Sequence, residues 1–88
     1  MIYLITYDLN REGQDYQELY DSIESYREYI HPLDSTWFIH TDSSVNEVSG
    51  YLESLIDKND YIFVCEVTEN RFGWMKKSFW KWLKDYSD

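Results

Sequence analysis

The sequence predicts an α+β domain in which strands and helices alternate along a chain of 88 residues. Residues 2–7 and 61–67 are almost unbroken runs of β-branched, aromatic and aliphatic side chains. Such runs are typical of interior strands that are covered on both faces. Between them, two segments place apolar residues three and four positions apart, which is the pattern of an amphipathic helix. A single domain of this length has a small core, so a partner subunit would add useful buried surface.

The chain begins with the strand over residues 2–7, and Asp8 stands where this strand would leave the sheet. A polar link over residues 10–14 follows, with Gly13 as its flexible point. Residues 14–29 are predicted to form the first helix, because their apolar positions keep helical spacing: Tyr16, Leu19, Tyr20, Ile23 and Tyr26.

The middle of the chain is divided by a proline. Pro32 is expected to end the helical region. Residues 37–41 have the alternation of a strand, and residues 29–33 fit a short partner strand, joined to it by a turn at residues 34–35.

A capping signal opens the second helix. Ser44 and Glu47 have the spacing of a capping box, and an apolar stripe follows at helical spacing: Val45, Val48, Leu52, Leu55 and Ile56. A polar turn then leads to the strand over residues 61–67, which we expect inside the sheet. Residues 75–86 are predicted as a third helix with a wide apolar face and lysines beside it.

This order of elements is that of the ferredoxin-like βαββαβ plait. We assign residues 1–70 to the plait and residues 71–88 to a basic, aromatic C-terminal helix that packs on the domain or on a dimer partner. The chain holds nine Tyr, four Trp and four Phe, and interface cores are enriched in these residues, so we expect a homodimer. The candidates for docking or dimerisation are Trp74, Phe79, Trp80 and Trp82.

Charge is unevenly distributed along the chain. Residues 1–69 hold fifteen acids and three bases, a balance of −12, whereas residues 70–88 hold five bases and two acids, a balance of +3. An acidic body repels phosphate, so nucleic acid is disfavoured as its ligand, although the lysines and tryptophans of the tail could contact it. Acids along the first helix form a candidate protein-binding surface: Glu18, Asp21, Glu24 and Glu28. The alternatives are a solvated helix face and a mimic of nucleic-acid phosphates.

The single cysteine, Cys65, excludes an internal disulfide and fits a reducing compartment. Met1 leads directly into a strand without a basic leader, and no apolar run approaches the roughly 20 residues of a membrane span. We therefore expect a cytoplasmic protein without a membrane segment.

Asp8 is the first candidate for chemistry. A carboxylate at the end of a strand can hold a divalent metal ion, or it can cap a turn through hydrogen bonds. His31 and His40 are further acid–base candidates, but no nucleophile pairs with either in the sequence. The Ser35-Thr36 pair suits a turn, and Cys65 in mid-strand behaves as a small hydrophobe. One cysteine and two histidines without ligand spacing do not build a zinc site.

Three segments carry a resemblance to a known family: residues 3–9 (YLITYDL), 33–39 (LDSTWFI) and 59–64 (NDYIFV). The chain resembles the small CRISPR-associated endonucleases that partner the CRISPR integrase in spacer acquisition. More closely, it resembles an orphan, SinR-like branch of short bacterial and phage proteins, and the virulence-associated protein D toxins belong to the same wider fold group. The resemblance covers nearly all of residues 1–70. It implies a ferredoxin-like fold, a symmetric homodimer built on the sheets, and an aspartate at the position of Asp8 that holds Mg²⁺ together with its counterpart across the dimer.

Two functions are consistent with these observations. The first is a non-enzymatic, homodimeric interaction protein without a cofactor, such as a phage or mobile-element inhibitor of a nucleic-acid-binding defence enzyme. The second is a metal-dependent endonuclease or toxin with Asp8 as the ligand of Mg²⁺. The acidic body favours the first. Members of the resembled family that handle nucleic acid present bases after the first strand, where this chain has only Arg11 near Asp8. A purely structural subunit of a larger assembly is a third alternative.

Overall fold

The first strand of the chain lies inside a four-stranded sheet. A computed structural model describes residues 1–10 and 15–87, and this part of the chain forms an α+β structure with four antiparallel strands and three helices, compatible with a ferredoxin-like fold. Residues 11–14 of the predicted polar link, which include Gly13, lie outside the described residues. The elements are β1 (Ile2–Asp8), α1 (Gln17–Glu24), β2 (Glu28–Leu33), β3 (Thr36–His40), α2 (Val45–Glu53), β4 (Tyr61–Glu66) and α3 (Lys77–Tyr86). The strands lie in the order β2-β3-β1-β4.

Strand β4 is an edge strand, so the expected interior position of residues 61–67 is wrong. It pairs with β1 on one side, and its Tyr61 and Phe63 are 68% and 61% exposed. An apolar run looks the same in the sequence whether or not a further strand covers it. The position is decided by the connection from β3 through α2, which carries the chain past β1 to the outside of the sheet.

Helix α1 is shorter than its pattern predicts. It spans Gln17–Glu24 where residues 14–29 were expected. Beyond its last turn the Ser25 hydroxyl donates a hydrogen bond to the Ser22 carbonyl at 2.6 Å, and the chain then leaves the helix. The residues that follow pair with β3, so Glu28 is the first residue of a strand and not part of the helix.

Strand β2 confirms the short partner strand expected over residues 29–33, and it contains Pro32, which was also expected to end the helical region. A proline cannot donate to a sheet ladder and is tolerated at edges and bulges. Both conditions hold here: β2 is an edge strand, and its pairing with β3 shifts in register between Ile30 and Leu33.

The structure confirms the two helices predicted in the second half of the chain, α2 and α3. The Ser44 hydroxyl accepts a hydrogen bond from the Glu47 N–H at 3.1 Å, and the Glu47 carboxylate accepts one from the Ser44 N–H at 3.0 Å. The bond that the Ser44 N–H donates to the carboxylate lowers the pKa of Glu47, and the Ser44 side chain lowers it further. Helix α3 begins two residues later than predicted. In the part of the chain that the structure describes, no helix is long and apolar enough to cross a membrane.

Two apolar layers lie on opposite faces of the sheet. One is buried beneath α1 and α2 and consists of Tyr3, Ile5, Leu19, Ile23, Trp37, Ile39, Val48 and Leu52. On the other face α3 packs Phe79 and Leu83 against Ile2 and Phe38, and the Phe38 and Phe79 rings meet edge to face at 4.9 Å. Helix α3 therefore covers part of the second sheet face by apolar contact within one chain.

This arrangement also separates charge. Helix α1 carries Glu18, Asp21 and Glu24 and no base, whereas α3 with the residue before it carries four exposed lysines: Lys76, Lys77, Lys81 and Lys84. Lys81 pairs with Asp85, one turn away, at 2.9 Å. Because α1 and α3 lie on opposite sides of the sheet, the lysines do not neutralise the acids of α1.

Candidate functional site

Asp8 lies at the end of β1, exposed and directly opposite Tyr61 of β4. Paired residues of neighbouring strands point to the same face, and alternation along β1 puts Asp8 on the face that α3 partly covers. A shallow groove of about 270 Å³ passes it, lined by residues 6–8 and 61–63. Its carboxylate makes no hydrogen bond within the described residues, so the structure shows no turn capped by it there.

Asp8 belongs to the part of this face that α3 leaves uncovered. The strand register places Leu33, Thr36, Thr6 and Phe63 in one row across the sheet, with Asp8 and Tyr61 beyond them. We call these six residues the open half-face. The Thr6 hydroxyl is 3.2 Å from the Thr36 hydroxyl and donates to the Ser35 carbonyl at 3.1 Å. The hydroxyl groups at the centre of the open half-face therefore already have hydrogen-bond partners. The apolar side chains at its two sides, Leu33, Tyr61 and Phe63, are exposed.

Two aromatic side chains project beside the open half-face from the segment between β4 and α3. Phe72 is 101% and Trp74 98% exposed. Together with the sheet and α3 they line a cavity of about 560 Å³. An exposed apolar surface of this kind usually marks an interaction site.

The structure of one chain does not build a metal site around Asp8. Among the described residues no group of three or more His, Cys, Asp or Glu side chains could hold a metal ion. Mg²⁺ takes oxygen ligands in octahedral geometry and keeps several waters. A single exposed carboxylate does not fix such an ion, so a magnesium site would need the Asp8 of a second copy.

The other candidate catalytic residues are not brought together. His31 stacks on Trp37 in the layer below α1, with ring centroids 3.7 Å apart, whereas His40 lies 5.1 Å from the ring of Tyr86 in α3. Thr36 is held by Thr6, and Cys65 is half-buried in β4. These histidines occupy opposite faces of the sheet, so they do not act on one substrate within a chain.

Three of the four acids expected to bind a partner share one surface. Glu18, Asp21 and Glu24 are exposed on α1, and the Gln17 side-chain amide donates to Asp21 at 2.8 Å. Glu28 is separate: it lies in β2 opposite His40, on the face that carries α3. It was placed with the others because the helix was predicted to continue through it.

Of the four aromatic docking candidates, three pack within the chain and one is exposed. Phe79 is 5% exposed and fixed on the sheet, and Trp80 and Trp82 are half-buried beside it. The Trp80 ring meets that of Phe79 at 5.3 Å and the Trp82 ring meets that of Tyr86 at 5.0 Å. Trp74 makes no such contact with the described residues and is free to meet another molecule.

Asp60 is a buried carboxylate of which the sequence pattern gives no sign. It is 6% exposed. One of its oxygens accepts from the Asn10 N–H at 2.8 Å and from the Tyr16 hydroxyl at 2.7 Å, and the other accepts from the Asp57 N–H at 2.9 Å. Asp60 therefore ties the segment after β1 and the start of α1 to the turn before β4, and its contacts describe a structural role.

Comparisons with protein-family models, with curated proteins and with solved structures found no match for the chain.

Proposed function

We propose that this chain is a small, homodimeric interaction protein of ferredoxin-like fold that binds a basic surface of a partner protein through the acidic face of α1. The observation that carries the proposal is the cluster of exposed carboxylates on α1, Glu18, Asp21 and Glu24, on a helix without any base. The nucleic-acid-binding surface of an enzyme is a basic surface of the required kind, and an inhibitor of such an enzyme would act by covering it.

The fold assignment within this proposal is supported by the connections. A first strand, a helix, two strands, a helix and a fourth strand follow one another, and the strand order is β2-β3-β1-β4. In this arrangement both crossover connections run through a helix on the same face of the sheet. Helix α3 is an addition that covers part of the opposite face.

The homodimer is supported by the open half-face. Leu33, Tyr61 and Phe63 are 52%, 68% and 61% exposed, and Phe72 and Trp74 stand beside them. A twofold contact would use this surface on both copies and would bury these side chains. Light scattering at micromolar concentration should give twice the mass of the chain, and Phe63→Glu together with Trp74→Glu should give a monomer. A monomeric wild type would remove this part of the proposal.

The acidic face is tested by neutralisation. In a pull-down from host lysate followed by mass spectrometry, the triple variant Glu18→Gln, Asp21→Asn, Glu24→Gln should lose the partners that the wild type captures. A matched variant, Glu28→Gln, Glu53→Gln, Glu66→Gln, removes the same charge away from α1 and should keep them. Equal capture by the wild type and both variants would refute binding through α1, as would equal loss in the two variants, which would indicate net charge alone.

A second candidate function is favoured by the position of Asp8 on the open half-face. If two copies pair there, both Asp8 carboxylates lie at one interface, where they could share Mg²⁺ and activate water for phosphodiester hydrolysis. The test is cleavage of labelled single- and double-stranded RNA and DNA with Mg²⁺, with Mn²⁺ and with a chelator. Cleavage that disappears in Asp8→Asn and with the chelator, but persists in the charge-matched control Asp42→Asn, would establish this activity. No cleavage, or equal cleavage by Asp8→Asn, would exclude it.

A further inference from the structure

A pocket opens beside α1, apart from Asp8 and the open half-face. Its volume is about 360 Å³, within the range of roughly 300–1,000 Å³ found for ligand sites. Its walls combine aromatic rings with carboxylates: Tyr7, Tyr20, His31, Trp37, Glu24 and Asp34. The side chain of Gln17 completes the lining. Rings with adjacent carboxylates are the chemistry that recognises an organic cation.

The aromatic wall is held in place by contacts within the chain. Trp37 is 4% exposed, and its indole N–H donates to the Tyr7 hydroxyl at 2.9 Å. His31 stacks on Trp37 with an interplanar angle of 10°, and its Nε2 donates to the Asp34 carbonyl at 3.1 Å. Tyr20 lies nearly parallel to Trp37, at 20° and 6.4 Å. The rings are therefore ordered before any ligand arrives, which lowers the entropic cost of binding.

The lining includes two exposed carboxylates, those of Glu24 and Asp34. Glu24 follows Tyr20 by one turn of α1, and Asp34 lies in the turn between β2 and β3; both are exposed. Burial raises the pKa of Tyr7, and the negative charge of Asp34 contributes further to this rise. Among the described residues, no lysine or arginine lines the pocket.

A guanidinium group matches this lining better than an ammonium group. It is planar, so it can stack on an aromatic ring, and its N–H groups form a fork that fits carboxylate oxygens. Tyr20 and Tyr7 are half-buried and present ring surface to such a group, and Glu24 and Asp34 supply acceptor oxygens in the same lining. An ammonium group is more strongly hydrated and lacks a stacking face.

We infer that this pocket binds a guanidinium group, which stacks on Tyr20 and donates hydrogen bonds to Glu24 and Asp34. The inference rests on the proposed function only for the source of that group, an arginine side chain of the basic partner. Free arginine carries the same group and is the other source, and the experiment separates the two.

The test is a titration of the isotope-labelled full chain, followed by NMR at the Trp37 indole N–H. The probes are N-acetyl-arginine amide, N-acetyl-lysine amide, free arginine and a Gly-Arg-Gly peptide with blocked ends. We expect a saturable shift with the acetylated arginine amide and at least fivefold weaker binding of the lysine amide. Glu24→Gln with Asp34→Asn should weaken arginine binding about tenfold, and Tyr20→Leu by several-fold. The charge-matched control, Asp42→Asn with Glu53→Gln, removes two exposed acids away from α1 and the pocket and should bind as the wild type does.

No saturable shift with any arginine probe would overturn the inference, and so would equal binding of the lysine amide or an unchanged affinity in the Glu24→Gln, Asp34→Asn variant. Tighter binding of the blocked peptide than of free arginine supports a protein side chain as the source, and the reverse order supports the free amino acid. The two proposals fail separately. A pull-down without a partner leaves the arginine titration intact, whereas a partner that the Glu24→Gln, Asp34→Asn variant still binds leaves the acidic face intact and removes the pocket from recognition.

Discussion

Replacing Asp60 by alanine should destabilise the fold more than any exposed acid would. The substitution removes both oxygens that receive the Asn10 N–H, the Tyr16 hydroxyl and the Asp57 N–H. These donors come from three separate segments of the chain, and the site is 6% exposed. Water can reach the three donors only in part once the carboxylate is removed, so hydrogen bonds to solvent do not fully replace the lost ones.

The change in the free energy of unfolding for Asp60→Ala follows from these three hydrogen bonds. A hydrogen bond to a charged group contributes about 1.5–3 kcal/mol, and the gain is offset by the cost of burying the carboxylate and by repulsion in an acidic chain. We expect a net loss of about 2–4 kcal/mol, out of a total stability of roughly 4–13 kcal/mol for a domain of this size. The corresponding fall in Tm is about 10–25 °C. Asp60→Asn keeps one acceptor oxygen and should lose about half as much.

The assay is urea unfolding followed by tryptophan fluorescence and by circular dichroism, with equal slopes required of each variant. Asp42→Asn serves as the control, because it removes the same charge at an exposed position and should change stability by less than about 0.5 kcal/mol. A loss below about 1 kcal/mol for Asp60→Ala would refute the reasoning, since the three bonds would then contribute nothing beyond what water supplies.

Two further predictions concern the helices. Glu47 has a lowered pKa, so its stabilisation is present above its unfolded pKa of about 4.3 and is lost as the pH falls through the folded value. The stability difference between wild type and Glu47→Ala should therefore be largest near neutral pH and vanish in acid, and a difference that persists at pH 2 would contradict it. Leu83 is 2% exposed under α3, so Leu83→Ala should cost about 2–5 kcal/mol by urea unfolding. Lys84→Ala on the same helix should cost less than about 0.5 kcal/mol, and equal effects would mean that α3 does not pack as described.

Local signals in the sequence predict those elements whose cause is local. The capping box at Ser44 and Glu47 lies within four residues, and the observed bonds reproduce it. The end of α1 has no such signal, because the chain beyond Glu24 contains no nearby glycine and continues in an apparently helical pattern. Pairing with β3 decides that Glu28 is in a strand, and that competition between helix and sheet depends on tertiary contacts.

The sequence predicts the position of Asp8 but not the residues that surround the candidate sites. Asp8 lies at the strand end where the sequence places it. The partners of Asp60 are up to 50 residues distant, and nothing distinguishes this acid from Asp57 in the same turn. The pocket beside α1 was partly accessible to sequence reasoning, since alternation puts Tyr7 and Trp37 toward one layer. The turn at residues 34–35 was also predicted, but nothing in the sequence indicates that it brings Asp34 to the pocket.

The separation of charge across the sheet has a physical consequence besides the net charge of −9. With acids on α1 and lysines on α3, the molecule has an electric dipole that points through its sheet. At low ionic strength the lysine side of one molecule attracts the acidic side of the next, and head-to-tail contacts of this kind do not close on themselves. Above about 0.1 M salt, where the Debye length is about 10 Å, this attraction is screened. This attraction opposes the repulsion between molecules of net charge −9, and any head-to-tail association should disappear as salt is added, leaving the contacts made by apolar surface.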